Sequence, residues 1–236
     1  MMSSEKQRPL AHDDPAWAPA RDLIQQRANA MVQLSGQPPL RPVGFEPRYT
    51  RRGPGKYTVA GYGWMGTDRI GVNLPKMFES PQIAETLLTD PKTHGVIDGI
   101  LLHELGHRRR RISLRVFITP EVLLALMTLP IVVFVLLSWL SGDDYPGWYL
   151  WTAQLVLAAL WLAVRVPVWR WHERQADDYV LDVGGVDIWD RMSAGLSKSV
   201  GSGTGKTLVH ASVAARDARQ RKRLAQATGT ERVNSA

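Results

Sequence analysis

Residues Val122–Leu140 run for 19 positions without a charge, and Trp148–Val164 run for 17 more. At a helical rise of about 1.5 Å per residue they reach roughly 28 and 26 Å, close to the thickness of a bilayer's hydrocarbon core. No other feature of the chain restricts its fold as strongly, because backbone at that depth must satisfy its own hydrogen bonds. The two runs predict a transmembrane helical hairpin within residues 116–168, in which Pro130 is tolerated. The alternative is a pair of helices buried in a soluble core. Against it stand tryptophans at 139, 148, 151, 161, 169 and 171, several of them at run ends where interfacial aromatics belong.

Charge gives the hairpin a direction. The chain carries a formal +7, much of it in Arg108, Arg109, Arg110, Arg111 and Arg115 before the first run and Arg165, Arg170 and Arg174 after the second. The connecting Ser141–Gly147 holds Asp143 and Asp144 and no Lys or Arg. By the positive-inside rule both arginine groups are cytoplasmic, so the segments flanking the hairpin share one compartment and can meet. Basic charge also suits nucleic acid, but no nucleic-acid motif accompanies it, and none is expected as a partner. The first residues lack an apolar h-region, so no secretory signal peptide is expected.

Outside the hairpin the pattern is that of a mainly α protein with a small β element. Residues 1–20 read as a loose terminus, and Leu23, Ile24, Ala28, Met31 and Leu34 predict a short helix over 22–34. Prolines and glycines between Gly36 and Gly55 mark a loop. Tyr57–Ala60 begins one candidate strand, and Asp68–Leu74, with Ile70, Val72 and Leu74 alternating, forms a second. Ser80-Pro81 opens a helix that Pro91 stops, and a further apolar helix starts near Thr93. The end of the chain is polar and basic, with a possible short helix over 209–225. Gly201–Thr207 imitates a phosphate-binding loop, but Val200 stands where that motif needs glycine, so it reads as a flexible Ser/Gly segment.

The chemistry lies in His103-Glu104-Leu105-Gly106-His107. Histidines four apart share one helix face and can bind a single metal ion. Glu104 is turned about 100° from His103, away from ligation and toward the role of general base. The chain has no cysteine, so a metal must be held by His and carboxylates. A third ligand is required. Glu173 and His172 are both candidates, with Asp177, four residues beyond Glu173, placed to orient a ligand histidine.

HELGH, a two-run apolar hairpin and then Glu173-x-x-Ala176-Asp177 resemble the HtpX-type and CaaX-prenyl-protease-type membrane zinc metallopeptidases, peptidase family M forty-eight. The likeness covers roughly residues 68–182. It implies one Zn²⁺ per chain on His103, His107 and Glu173, with Glu104 as catalytic base and Asp177 behind the ligands. It also implies a substrate peptide paired along an edge strand at Val72 and Asn73. A family His-Pro…Arg element is echoed by His210 to Arg216, with Ala211 in place of the proline, and no role is drawn from it. The sequence departs from the HtpX pattern in having no apolar span ahead of HELGH.

The expected architecture is a zincin-like core interrupted by a transmembrane hairpin. It comprises a flexible segment with one short helix (1–56), a core with edge strand and HELGH helix (57–115), the hairpin (116–168), a second ligand helix (169–196) and a flexible basic tail (197–236). The expected function is zinc-dependent hydrolysis of peptide or protein substrates at the cytoplasmic face of the cell (inner) membrane. The alternative is an inactive peptidase-like scaffold or adaptor.

Overall fold

The computed structural model describes residues 14–45, 60–63, 68–78, 80–91, 93–109, 120–142, 148–200 and 211–234. It is mainly helical with little strand: α1 (Ala18–Leu34), β1 (Ala60–Gly63), β2 (Arg69–Val72), α2 (Leu74–Met77), α3 (Pro81–Thr89), α4 (His94–Arg109), α5 (Pro120–Ser141), α6 (Trp148–Val200) and α7 (Val213–Asn234).

The helix expected over 22–34 starts four residues earlier. Asp14 accepts a hydrogen bond from Ala16 N at 2.9 Å, Pro15 opens a 3₁₀ turn, and Trp17 in that turn is buried. Residues 14–20 are therefore a capped helix entry rather than a loose terminus. Ala20, Ile24, Ala28 and Met31 recur at helical spacing and form the buried face of α1. Gly36, at φ 62°, lies just beyond the helix end, in the left-handed region that glycine enters without strain. In α3 the expected cap is present, with Ser80 Oγ accepting from Ile83 N.

The centre of the fold is the crossing of α4 and α6, against which α1 and β1 also pack on the α4 side. Leu101, Leu102 and Leu105 of α4 and Val180, Trp189 and Met192 of α6 are buried together with α1 residues in one core. The close approach is set by Gly106: a Cβ there would come within 2.8 Å of Ala176 Cα, so the helices could not keep this separation with any larger residue. Two buried ion pairs fix the surroundings of α4. Arg27 of α1 donates to both carboxylate oxygens of Asp98, which also meets His94 Nδ1 at 3.0 Å. At the other end, Arg108 donates to Asp68 at 2.8 and 2.7 Å and to the Pro38 and Pro39 carbonyls. Arg108 is thus committed to partners inside the fold and is not a solvated member of the arginine run. Its neighbour Arg109 is exposed and lies 5.7 Å over the Tyr179 ring.

The second candidate strand forms, and the partner of β2 is β1, antiparallel, with Gly61 opposite Gly71. Residues 57–59 of the first candidate lie outside the described residues. The expectation that β2 offers a free edge fails. On the side away from β1, Gly44 N donates to Ile70 O and Val72 N donates to Gly44 O, both at 2.9 Å. Asn73 lies past the strand, and its carbonyl accepts from Met77 N at the start of α2. Of the described strands, β1 is the outer one, and it is the one that packs on α4.

Both apolar runs are helical, the first in α5 and the second in α6, and the two helices pack on each other. Among the described residues no helix is long and apolar enough to cross a membrane. The described side chains of the pair nevertheless face outward, with Leu129, Val132, Leu137, Leu140, Leu155, Val156 and Leu160 all more than half exposed. Helix α6 continues without a break from this apolar stretch through Glu173 to Gly185, where φ 74° and ψ −179° interrupt it. Only glycine adopts that conformation readily.

The basic end of the chain is a packed helix, not a flexible tail. Over the described residues α7 lies on α6, burying Val213 and Gln220. Its arginines meet aspartates of α6: Arg216 with Asp177, Arg219 with Asp178, and Arg223 with Asp182. The Gly201–Thr207 run and His210 are outside the described residues.

Candidate metal centre

Helical spacing brings His103 and His107 to one face of α4, their ring centroids 4.8 Å apart and their planes nearly perpendicular. Glu173 faces them from α6. His103 Nε2 lies 3.3 Å from Glu173 Oε2, and His107 Nε2 lies 3.5 Å from Glu173 Oε1. The donor atoms of these three residues all fall within 4.8 Å of one another, so the group can hold a metal ion. Bonds of about 2.0–2.2 Å in a tetrahedron separate ligand atoms by roughly 3.3–3.5 Å, so both carboxylate–imidazole distances suit one small ion. His172, the rival third ligand, is buried with its ring against Trp171 and is not part of this group.

Behind the donors is a chain of charged contacts. His103 Nδ1 is 3.0 Å from Asp177 Oδ1, off the axis of an ideal hydrogen bond. Arg216 of α7 grips the same carboxylate, Nε to Oδ2 at 2.9 Å and Nη2 to Oδ1. Asp177 is only 2% exposed, so a charge here without a partner would be costly. Burial pushes its pKa up, but the charge of Arg216 and the hydrogen bond with His103 outweigh it and hold the carboxyl below its ordinary range. Burial pushes Arg216 down, and the charges of Asp177, Glu173 and Glu104 more than reverse that. One guanidinium therefore feels all three carboxylates of the site. Burial also pushes His103 down, while Asp177 and Glu173 together raise it to about 10. Carboxylates that attract a proton to this ring attract a metal cation by the same field.

Glu104 lies between the histidines on α4 and is buried. Trp169, one helical turn before Glu173, donates its indole N–H to Glu173 Oε1 at 3.1 Å. Of the residues expected at the site, His103, His107, Glu173 and Asp177 are brought together; Val72, with its N–H committed to Gly44, and Asn73, which opens α2, are not offered as a peptide-binding edge. Two contributors were missed. Arg216 had one faint signal in the His210–Arg216 echo. Trp169 had a plainer one, its i, i+4 position relative to Glu173.

No family model, curated protein or solved structure matches the chain.

Proposed function

We propose that this chain is a membrane-bound zinc endopeptidase, similar to the HtpX type, that hydrolyses peptide bonds at the cytoplasmic side of the cell membrane. The observation that carries the reading is the convergence of His103, His107 and Glu173 from two helices that the apolar hairpin separates in sequence. Two imidazoles and one carboxylate suit zinc, and three protein donors leave a fourth position for water, as in catalytic rather than structural sites. Zinc held there would supply a Lewis acid for the scissile carbonyl and lower the pKa of a water toward about 7.

The chain's own residues supply the rest. Glu104 takes the proton from the attacking water and returns it to the leaving amine. Asp177 holds the Nδ1 side of His103, which leaves Nε2 turned toward Glu173, and Arg216 keeps Asp177 ionised and in place. With β2 flanked on both sides, an extended substrate adds to β1, the strand beside the HELGH helix, through main-chain hydrogen bonds.

The bilayer is the second partner. Support comes from the two uncharged runs and from the outward-facing aliphatic side chains of α5 and α6. Covering a half-exposed Leu or Val contributes about 1 kcal/mol. The ten exposed between Leu129 and Val164 would together gain on the order of 10 kcal/mol, comparable to the stability of a whole domain. So large an apolar surface is not left in water by a monomeric soluble protein.

The test is zinc stoichiometry and digestion of an unfolded reporter by three purified proteins. Wild type should hold one zinc and cleave; Glu104→Gln should keep the zinc and lose cleavage by about 10²-fold or more; Glu173→Ala should lose both. A wild type that is folded but metal-free and inactive would point instead to a peptidase-like scaffold.

A further inference from the structure

Both oxygens of Glu173 stand at ligand distance from a histidine, Oε2 at 3.3 Å from His103 Nε2 and Oε1 at 3.5 Å from His107 Nε2. Nothing in the two histidines decides whether this carboxylate would meet a metal with one oxygen or with both. A further contact to this carboxylate comes from α6 itself. Trp169 is four residues before Glu173 on an uninterrupted stretch of helix, the spacing that stacks side chains on one face. Its indole N–H reaches Oε1 at 3.1 Å. An indole donates only: it neither titrates in this range nor competes as a ligand. It occupies a lone pair of Oε1 and draws negative charge to that oxygen.

We propose that Trp169 is a positioning residue for the third ligand, holding Oε1 of Glu173 by its indole N–H so that Oε2 is the oxygen offered to the metal. The inference rests on the metal-site reading above. One-armed ligation keeps the fourth position open, which a two-armed carboxylate would crowd. It also fixes the side chain before any metal arrives, so less freedom is lost on binding.

The experiment compares full-length wild type, Trp169→Phe and Trp169→Gln, with Trp171→Phe, two residues along and 42% exposed, as a control for losing a nearby tryptophan. Zinc affinity is measured by chelator competition, and coordination number by the visible d–d bands of the cobalt-loaded proteins. Removing the donor in Trp169→Phe should weaken zinc about tenfold or more, the range for lost groups behind a ligand. It should also weaken the cobalt bands toward those of a five-coordinate ion. Trp169→Gln retains an N–H donor at i, i+4 and should keep wild-type affinity and bands. Trp171→Phe should match wild type.

Unchanged affinity and bands in Trp169→Phe would overturn the assignment. So would a Trp169→Gln protein as impaired as Trp169→Phe, since bulk and not the hydrogen bond would then matter. If Trp169→Phe fails to fold, Trp169→Gln decides alone: wild-type bands support the assignment and altered bands overturn it. A wild type that binds neither ion would sink the metal-site reading itself, a result distinct from all of these.

Discussion

Helix α6 has two halves built for different surroundings. Up to about Val168 its described side chains are mostly aliphatic, with Leu155, Val156, Leu160 and Val164 exposed. From Trp169 onward the same helix buries Ala176, Val180, Trp189 and Met192 and commits Glu173, Asp177 and Asp178 to fixed polar partners. Backbone conformation does not distinguish them, since both are ordinary helix as far as Gly185. What differs is what each half is covered by. The polar half packs against α4 and α7, whereas the apolar half leaves most of its described aliphatic side chains exposed. One helix thus joins an exposed apolar stretch to a cluster of donors.

The largest effect that would break this comparison comes from charging the apolar half. Val132 and Val156 lie near the middle of the two runs and are each 53% exposed. Lysine at an exposed position in water changes stability by about 0.5 kcal/mol or less. At the centre of a membrane helix each costs about 3 kcal/mol. The double change Val132→Lys, Val156→Lys should therefore shift the protein out of the carbonate-resistant membrane fraction, while Ala194→Lys on the other half leaves it there. Equal membrane retention of the double variant and wild type would remove lipid as the cover.

Next in size is Arg216→Ala, which leaves Asp177 buried without its guanidinium. Removing one partner of such a pair costs about 3–5 kcal/mol, so denaturant unfolding should shift strongly, and zinc should bind more weakly because Asp177, which orients His103, loses its anchor. Arg216→Lys keeps the charge but not the two-pronged grip, and should recover part of the stability only. An Arg216→Ala protein of wild-type stability would show that α7 is not an essential wall of the polar half.

The last effect concerns protons. In the metal-free protein His103 is raised to about 10 from 6.5, so between those values the folded state holds a proton that the unfolded state has released. That stabilisation is fully present below about pH 6.5 and is lost as pH rises through about 10. Metal binding requires the neutral ring, so loading zinc at pH 8 should expel about one proton from His103, where an unperturbed histidine would release almost none. Calorimetry in buffers of different ionisation enthalpy counts it. A count near zero would mean that Asp177 and Glu173 do not govern His103 as the geometry implies.

Much was legible in the residues alone. Helical spacing placed His103 and His107 together, Ser80-Pro81 and Pro91 bounded α3, and the uncharged runs gave the helical pair, because period, caps and prolines act within a turn or two of themselves. Nothing in the spacing of HELGH assigns a role to Gly106. Only the crossing with α6 shows that it is the contact point with Ala176, a packing demand that no local pattern encodes.

The same limit explains the errors. Gly44 occupies an edge of β2 from a loop that sequence read as mere punctuation, so the strand that looked exposed is not. Arg108 and Arg216 looked like members of basic clusters, and became single buried partners once Asp68 and Asp177 were beside them. Charge type is written in the sequence, but whether a charge is solvated or paired depends on distance across the fold. By itself the sequence determined the two imidazoles, the mainly helical class and the apolar runs. The tertiary structure decided that Glu173 and not His172 stands with the two histidines, which groups lie behind them, and which strand lies beside them, because those are mostly contacts between segments distant in sequence, Arg216 and Asp177 being 39 residues apart.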